Sequence, residues 1–167
     1  VRSSAASDVY KRQVLKMNAL QDIAMIDELY RASEAGVEID LIVRGICCLV
    51  PGEEFSRNIR ITRIVDSFLE HARVWYFGND GNPLVYMGSP DWMRRNLYRR
   101  IEAVTPVLDK DLKQELIDML RIQLNANWKA CWVDSQLNNR FKRNPDEPKR
   151  RAQYDFYQYL KNKLHKR

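Results

Sequence analysis

Cysteine, histidine and long apolar runs are all scarce in this sequence. Its 167 residues include three cysteines and two histidines. The adjacent Cys47 and Cys48 and the distant Cys131 do not make a disulfide framework, and the adjacent pair lacks the spacing of a zinc site. No apolar run approaches ~20 residues, so no segment is predicted to span a membrane. The polar first residues show no signal peptide, and we expect reduced thiols in a cytoplasmic protein.

What the sequence does contain is enough apolar material for one domain with a core. Hydrophobic residues make up 45% of the chain, and the formal net charge is +6 with a pI near 9.3. The length favours a single domain. The positive charge suggests a polyanionic partner, which could be nucleic acid, an anionic membrane, a nucleotide or an inorganic phosphate chain.

The first thirteen residues differ from the rest of the chain. VRSSAASDVYKRQ has neither helical nor strand periodicity, and residues 3–13 resemble the in-frame translation of a sequencing adapter. We therefore predict that residues 1–13 are non-native or disordered and that one domain occupies residues 14–167.

A strand-helix-strand unit is predicted directly after this segment. Residues 14–20 are typical of a short buried strand, and residues 22–35 carry apolar side chains at helical spacing and end at Gly36. Residues 37–43 become continuously apolar, which is typical of a strand buried on both faces. Such a βαβ unit predicts parallel pairing of its two strands.

The remaining pattern alternates between the two kinds of element. Strands are predicted at residues 58–62, 73–77, 84–87, 100–104 and 128–133, and helices at residues 64–69, from Asp91, at 109–125 and at 153–164, with a hairpin turn at 78–81 and a charged linker at 140–151. This order predicts an α/β domain with a mostly parallel sheet, one antiparallel hairpin and helices on both faces. In such sheets ligands bind beyond the carboxyl ends of the strands.

His71 is the histidine that lies among these elements. From position alone, a core histidine is the commoner interpretation. The order His71-Ala72-Arg73, however, places the imidazole and a guanidinium on one face of a predicted strand, because alternate residues point the same way. Arg44 ends a continuously apolar strand, and a bound anion or a carboxylate such as Glu102 should satisfy its charge.

Further groups suited to phosphate follow His71. Gly88 and Ser89 close the partner strand with a hydroxyl and an amide in a geometry suited to an anion. Four arginines then fall within seven positions, and guanidinium groups grip phosphate oxygens well although part of such a run is normally a solvated face. These are Arg94, Arg95, Arg99 and Arg100.

The segments KMNAL, AGVEIDLIVRGICCL, NIRITRIVDSFLEHARVWYFGN and VYMGSPDWMRRNLYRRIEAVTPV resemble the C-terminal catalytic domain of bacterial polyphosphate kinase, in order and from Val14 onward. That family has a phospholipase D-like fold. The superfamily signatures His-x-Lys and Gly-Ser-x-Asn resemble His71-Ala-Arg73 and Gly88-Ser-Pro-Asp91 here, and both substitutions agree with the kinase.

The resemblance implies an activity. The family transfers the terminal phosphate of ATP reversibly to inorganic polyphosphate, through a phosphohistidine and with Mg²⁺. That phosphohistidine and the magnesium-associated arginines belong to a preceding domain, so the metal ligands and the nucleophile are expected outside this chain, which alone should be inactive. Arg44 matches an ATP-contacting arginine, His71 matches a second catalytic histidine proposed as a general acid, and Arg100 matches a position near the nucleotide.

Supporting roles are expected for Arg73, Ser89, Asp91 and Glu102. The implied partners are ATP, ADP, inorganic polyphosphate, the preceding domains and further copies of a full-length enzyme, and no nucleic acid is expected. The implied location is the cytoplasm, where association with the inner face of the membrane is compatible. Two alternatives stay open: a phospholipase D-like phosphodiesterase or nuclease, against which the absent lysine argues, and a non-catalytic polyanion-binding module.

Overall fold

A computed structural model describes residues 11–165, which form one mixed sheet with helices against it. The strand order is β6-β5-β4-β1-β2-β3-β7-β8. The strands are β1 Arg12–Met17, β2 Glu38–Val43, β3 Ile59–Ile64, β4 Val74–Phe77, β5 Leu84–Gly88, β6 Val104–Pro106, β7 Ala130–Val133 and β8 Asn139–Phe141, and the α-helices are α1 Ile23–Glu34, α2 Arg94–Arg99, α3 Lys110–Leu124 and α4 Ala152–Leu164. Single 3₁₀ turns occur at Glu54–Ser56 and Asn79–Gly81.

The predicted βαβ unit forms the centre of the sheet. Strand β1 pairs in parallel with β2, and β2 pairs in parallel with β3. Helix α1 begins after Asp22, whose side chain accepts a hydrogen bond from the amide of Met25 at 3.1 Å. It ends before Gly36, whose φ of 83° is the left-handed conformation in which glycine commonly terminates helices.

Antiparallel pairing outside this centre is more extensive than predicted. The expected hairpin is β4 with β5, but β1–β4, β5–β6, β3–β7 and β7–β8 are antiparallel as well. A parallel connection needs a crossover of a dozen or more residues, usually through a helix. Residues 65–73 between β3 and β4 contain no helix, so β4 returns beside β1 in the opposite direction. The α/β class is confirmed, with parallel strands at the centre of a mixed sheet.

Two apolar layers cover the two faces of the sheet. Neighbouring residues of a strand point to opposite faces. Leu15 and Leu41 therefore pack with Leu29 of α1 on one side. On the other side Val14 packs in the layer that includes Leu120 of α3 and Ala152 of α4. This arrangement confirms the prediction of helices on both faces.

The helix predicted at residues 64–69 is wrong. Strand β3 continues through Ile64, which pairs with Ala130. The residues that follow find partners in the first turn of α4 in place of a helical ladder: the side chain of Gln153 accepts from the Phe68 amide at 2.9 Å and donates to the Phe68 carbonyl at 2.8 Å. This distant side chain satisfies both backbone groups of Phe68. Residues 65–73 form an irregular loop.

The other predicted boundaries are close, with one clear exception. The strand expected at residues 100–104 is β6, at Val104–Pro106. It starts late because the carbonyl of Ala103 accepts from the amide of Ser89 at 3.0 Å and the Ala103 amide donates to the Ser89 hydroxyl at 3.1 Å, which opens the pairing with β5 at this point. The predicted charged linker contributes the short strand β8.

The prediction for residues 1–13 lies mostly outside the described residues, which begin at residue 11. Strand β1 starts at Arg12, before the predicted domain start at Val14, and Arg12 pairs with Glu38. The assignment of residues 1–13 as non-native or disordered stays a prediction.

The cysteines are free thiols, as expected. Burial raises the pKa of the Cys47 thiol to about 11, which leaves this group protonated and a poor nucleophile near neutral pH. None of the α-helices within residues 11–165 is long and apolar enough to cross a bilayer.

Gly88 at the end of β5 is required by a close approach of Trp75. A Cβ atom at this position would lie 2.6 Å from the Trp75 ring, which is buried and stacks on Trp92. Gly88→Ala is therefore expected to lower the free energy of unfolding by about 1–3 kcal/mol through overpacking. Urea denaturation measures this loss, and Met87→Ala on the same strand, where the side chain is exposed, should change stability much less. Equal losses for the two variants would contradict the prediction.

Candidate active site

Several predicted site residues lie at one edge of the sheet together with Asn18, which was not predicted. Asn18 follows β1, Arg44 follows β2 and Ser89 follows β5, so all three lie beyond carboxyl ends of strands. Arg73 immediately precedes β4, which starts opposite the end of β1 because Val74 pairs with Lys16. This edge is where α/β sheets bind ligands.

Asp91 connects the segments that meet at this edge. Its Oδ1 accepts from the backbone amides of Asn18 at 2.7 Å and Ala19 at 2.9 Å. Arg73 donates from Nη2 to Oδ2 at 2.6 Å and from Nε to Oδ1 at 3.2 Å. Asp91 is buried and the Arg73 side chain is only 11% exposed, so the ion pair is largely removed from water. Asp91 therefore joins the end of β1 to the start of β4.

The environment of Asp91 keeps its carboxylate ionised. Burial alone would raise the pKa of Asp91, but hydrogen bonds from the Arg73 side chain and from the amides of Ala19 and Asn18 outweigh it. The net effect holds the pKa of Asp91 below its ordinary value. The group consequently acts as a fixed negative charge beside Arg73 near neutral pH.

His71 is exposed, which excludes the interpretation as a core histidine. Arg73 Nη1 lies 3.1 Å from His71 Nδ1 and donates to the His71 carbonyl at 2.9 Å. The predicted contact between the two side chains is confirmed, but both residues belong to the loop before β4 and not to the strand. Asp91 thus holds the guanidinium that lies against an accessible imidazole.

Arg44 has an amide partner in place of a carboxylate. Its Nε donates to Asn18 Oδ1 at 2.6 Å, and no carboxylate of residues 11–165 lies within ion-pair distance of its guanidinium. The suggestion that Glu102 pairs with Arg44 is wrong, because Glu102 accepts hydrogen bonds from Ser89 and from Asn96 at 2.9 Å. Arg44 is half-buried, and its charge remains available to a bound anion.

Ser89 and Glu102 form a second network beside the first. The Ser89 hydroxyl donates to Glu102, and the Ser89 amide donates to the Ala103 carbonyl at 3.0 Å. The hydroxyl and amide that the sequence offers to an anion therefore have partners within the protein. The hydrogen bonds from Ser89 and then Asn96 lower the pKa of Glu102, so its carboxylate stays ionised near neutral pH.

The arginine run after Asp91 lies on the surface. Arg94, Arg95, Arg99 and Arg100 are all exposed, and in the part of the chain that the structure describes none of them forms an ion pair with a carboxylate. Arg100 follows α2 and contacts neither of the two networks through a hydrogen bond or an ion pair. The structure therefore joins Arg44, His71, Arg73 and Asp91, and it leaves Arg100 free at the rim.

Two groups at the site were missed from the sequence. Asn18 bridges Arg44 and Asp91, and its position directly after a buried strand was an available signal. Glu70 forms a buried ion pair with Lys16 at 2.8 Å. The sequence near either residue contains no pattern that would predict this pairing. Across residues 11–165, no three or more His, Cys, Asp or Glu side chains are grouped to hold a metal ion.

Comparisons with known proteins agree on one family. The family model for "Polyphosphate kinase C-terminal domain 2" matches residues 3–153. The chain is 48% identical to a polyphosphate kinase of Vibrio cholerae over 149 residues, which are 89% of this chain and 21% of that protein. It is 49% identical over 148 residues to a polyphosphate kinase of Yersinia pestis, covering 88% of this chain and 22% of that protein. The chain thus spans about a fifth of the length of these relatives.

Solved structures show the same likeness and a wider fold group. The crystal structure of polyphosphate kinase from Porphyromonas gingivalis matches 98% of this chain and 27% of that chain, with a TM-score of 0.92 and 54% identity. A phospholipase D family member, Nuc from Salmonella typhimurium, matches 78% of this chain and 88% of its own, with a TM-score of 0.58 and 14% identity. The second match shows the fold alone and confirms the phospholipase D-like architecture.

Proposed function

This chain belongs to the polyphosphate kinase C-terminal domain 2 family, and on that basis we propose that it supplies part of the active site of a longer polyphosphate kinase. The reaction is the reversible transfer of the terminal phosphate of ATP to inorganic polyphosphate through a phosphohistidine. The observation that supports this proposal most directly is the contact network at the sheet edge. It holds Arg44, with no carboxylate partner among residues 11–165, in the same network as an exposed His71.

The geometry suits phosphoryl transfer because that reaction needs positioning and charge stabilisation more than covalent machinery. Arg44 and Arg100 would bind phosphate oxygens of the nucleotide. His71 would protonate the ADP oxygen that leaves as its bond to the terminal phosphorus breaks. The phosphoryl group would form a new bond to an unphosphorylated histidine in another part of the enzyme, which thereby becomes the phosphohistidine. Arg73, fixed by Asp91, would hold the imidazole in place for this transfer.

Magnesium does not fit the residues described. The carboxylates nearest this edge are engaged within the protein, since Asp91 binds Arg73 and two amides and Glu102 binds Ser89 and Asn96. No step of the mechanism is therefore assigned to a metal held by these residues. We expect the Mg²⁺ ligands and the phosphohistidine in other parts of the longer enzyme.

The wider setting follows from the same proposal. The partners would be ATP and ADP, inorganic polyphosphate, other domains of the same enzyme and further copies of it in a homo-oligomer. We propose a cytoplasmic location, which the three free thiols support.

An activity assay tests the proposal. A longer polyphosphate kinase that carries this domain should form polyphosphate from ATP, whereas residues 14–167 alone should form none, because the phosphohistidine is expected elsewhere. The assay follows transfer of radiolabel from the terminal phosphate of ATP into acid-insoluble polyphosphate. Measurable polyphosphate synthesis by residues 14–167 alone, or none by the longer enzyme, would contradict the proposal.

One observation favours a second candidate, a polyanion-binding module. Arg94, Arg95, Arg99 and Arg100 are exposed and have no carboxylate partner in the described residues. Such a module would bind by charge, so short polyphosphates and DNA would bind equally at matched charge and salt. A clear preference for ATP or polyphosphate over DNA in a competition assay supports the kinase, and equal binding supports the module.

A further inference from the structure

The loop that carries His71 is attached to the fold by an unusual set of polar contacts. Glu70, the residue before His71, accepts hydrogen bonds from three different elements. Lys16 of β1 donates to Oε2 at 2.8 Å, Gln123 of α3 donates to Oε2 at 3.1 Å, and Gln153 of α4 donates to Oε1 at 3.0 Å. The Lys16 and Glu70 side chains are only 3% and 13% exposed, so the charged pair lies inside the protein.

Residues at the start of α4 also form hydrogen bonds with the residues before Glu70. Gln153 makes the pair of hydrogen bonds to the backbone of Phe68 already described. Arg151 donates two hydrogen bonds to Asp66, at 2.6 and 2.8 Å, and one to the Ser67 hydroxyl at 2.9 Å. Four residues of the loop, namely Asp66, Ser67, Phe68 and Glu70, are therefore tied to the start of α4 or to Lys16.

Apolar packing does not provide a substitute for these contacts. The large apolar side chains of the loop, Val65, Phe68 and Leu69, are each more than 60% exposed. A loop without buried apolar side chains opens easily unless polar contacts hold it. The polar contacts are consequently what fixes the path of the chain up to His71.

We propose that Gln153 of α4 and Arg151, the cap residue directly before α4, together with the buried Lys16–Glu70 pair, form a clamp that positions His71 for phosphoryl transfer. The clamp residues do not touch the nucleotide in this proposal; they act through the loop. The inference rests on the proposed function of His71.

The physical reason is the sensitivity of proton transfer to distance. A general acid must lie within hydrogen-bond reach of the oxygen it protonates, and a displacement of ~1 Å can cost up to ~100-fold in rate. A buried ion pair adds little net stability because of its desolvation cost, but one of its attested uses is to specify a single arrangement. Burial lowers the pKa of Lys16, and the nearby Glu70 carboxylate opposes that shift. This is the behaviour expected of a buried ammonium group paired with a carboxylate.

The test is Gln153→Ala in a longer polyphosphate kinase that carries this domain. It removes the hydrogen bonds to Glu70 and Phe68 without changing a charge. We expect kcat to fall roughly tenfold with KM for ATP unchanged within about twofold, since the loss is one of positioning. We also expect amide hydrogen exchange in the peptide covering residues 65–73 to speed up by roughly tenfold. Gln158→Ala is the matched control, because Gln158 is exposed on the same helix, and both measurements should stay at wild-type values.

Several outcomes are informative. A normal kcat, or unchanged exchange in residues 65–73, would overturn the clamp. Should Gln153→Ala fail to fold, Arg151→Lys keeps the charge but loses the two-point contact with Asp66, and the same two readouts should move in the same direction by a smaller factor. Hydrogen exchange does not depend on turnover. Faster exchange in Gln153→Ala together with normal turnover by His71→Ala would therefore reject the catalytic role of His71 while leaving the loop clamp in place.

Discussion

His71→Ala in a longer polyphosphate kinase that carries this domain is expected to lower turnover by at least ~100-fold, the usual scale for loss of a general acid. The substitution removes the group proposed to protonate the leaving oxygen, and it leaves Arg44 and Arg100 in place to bind phosphate. The decrease should therefore appear in kcat at saturating ATP, measured as the initial rate of polyphosphate formation. His71 is exposed, so the free energy of unfolding should change by less than ~0.5 kcal/mol.

The chain offers a matched control in its other histidine. His165 is exposed at the end of α4, far along the chain from the contact network. His165→Ala should retain wild-type turnover. A near-normal rate for His71→Ala would leave the imidazole without a part in the chemistry, and an equal loss for both variants would point to a general effect on folding.

The contact between His71 and Arg73 shows what the spacing of residues in the sequence can predict about the site. The two-residue spacing predicted that both side chains lie together, and the structure confirms it. The stated reason was a strand, whereas the residues lie in the loop before β4 and the contact depends on Asp91 holding the guanidinium. The alternation of residues thus predicted that His71 and Arg73 are neighbours, but it did not predict that Asp91 holds Arg73 in place.

The parts that could not be predicted depend on residues far apart in the chain. Residues 64–69 have an apolar pattern that fits a helix, but the backbone of Phe68 pairs with the side chain of Gln153, more than eighty positions away. For Arg44, charge alone predicted a bound anion or a carboxylate such as Glu102 as the partner, whereas the fold places Asn18 against it. Periodicity and charge indicate which backbone and side-chain groups require a hydrogen-bond or ion-pair partner. The tertiary fold determines which distant residue is that partner.

Asp91 is the residue that connects these groups from distant parts of the chain. It lies seventy-odd positions from Asn18 and Ala19, yet its carboxylate accepts both of their amides and also binds the guanidinium of Arg73. Because Arg73 contacts His71 and Asn18 contacts Arg44, the proposed general acid and the proposed phosphate-binding Arg44 both depend on one carboxylate. Its removal should disturb stability and the site together.

Asp91→Ala is expected to lower the free energy of unfolding by about 3–5 kcal/mol, the usual cost of removing one partner of a buried ion pair. The cost arises because the Arg73 guanidinium, with its side chain 11% exposed, would keep a charge without a counter-charge. Urea or guanidinium denaturation of this chain measures the loss. Glu28→Ala is the control, since Glu28 pairs with Arg31 on the surface with both side chains more than half exposed, and its loss should be below ~1 kcal/mol.

The dependence on pH separates this charge effect from simple loss of packing. The pKa of Asp91 is lower in the folded chain than its ordinary value of ~3.9. A depressed folded pKa gives stability that is fully present above the unfolded pKa and is lost as pH falls through the folded pKa. The stability difference between wild type and Asp91→Asn should therefore be constant above about pH 5 and shrink below about pH 4. A stability difference that stays constant down to pH 2 would contradict this prediction. It would mean that the negative charge of Asp91 is not what stabilises the contact with Arg73.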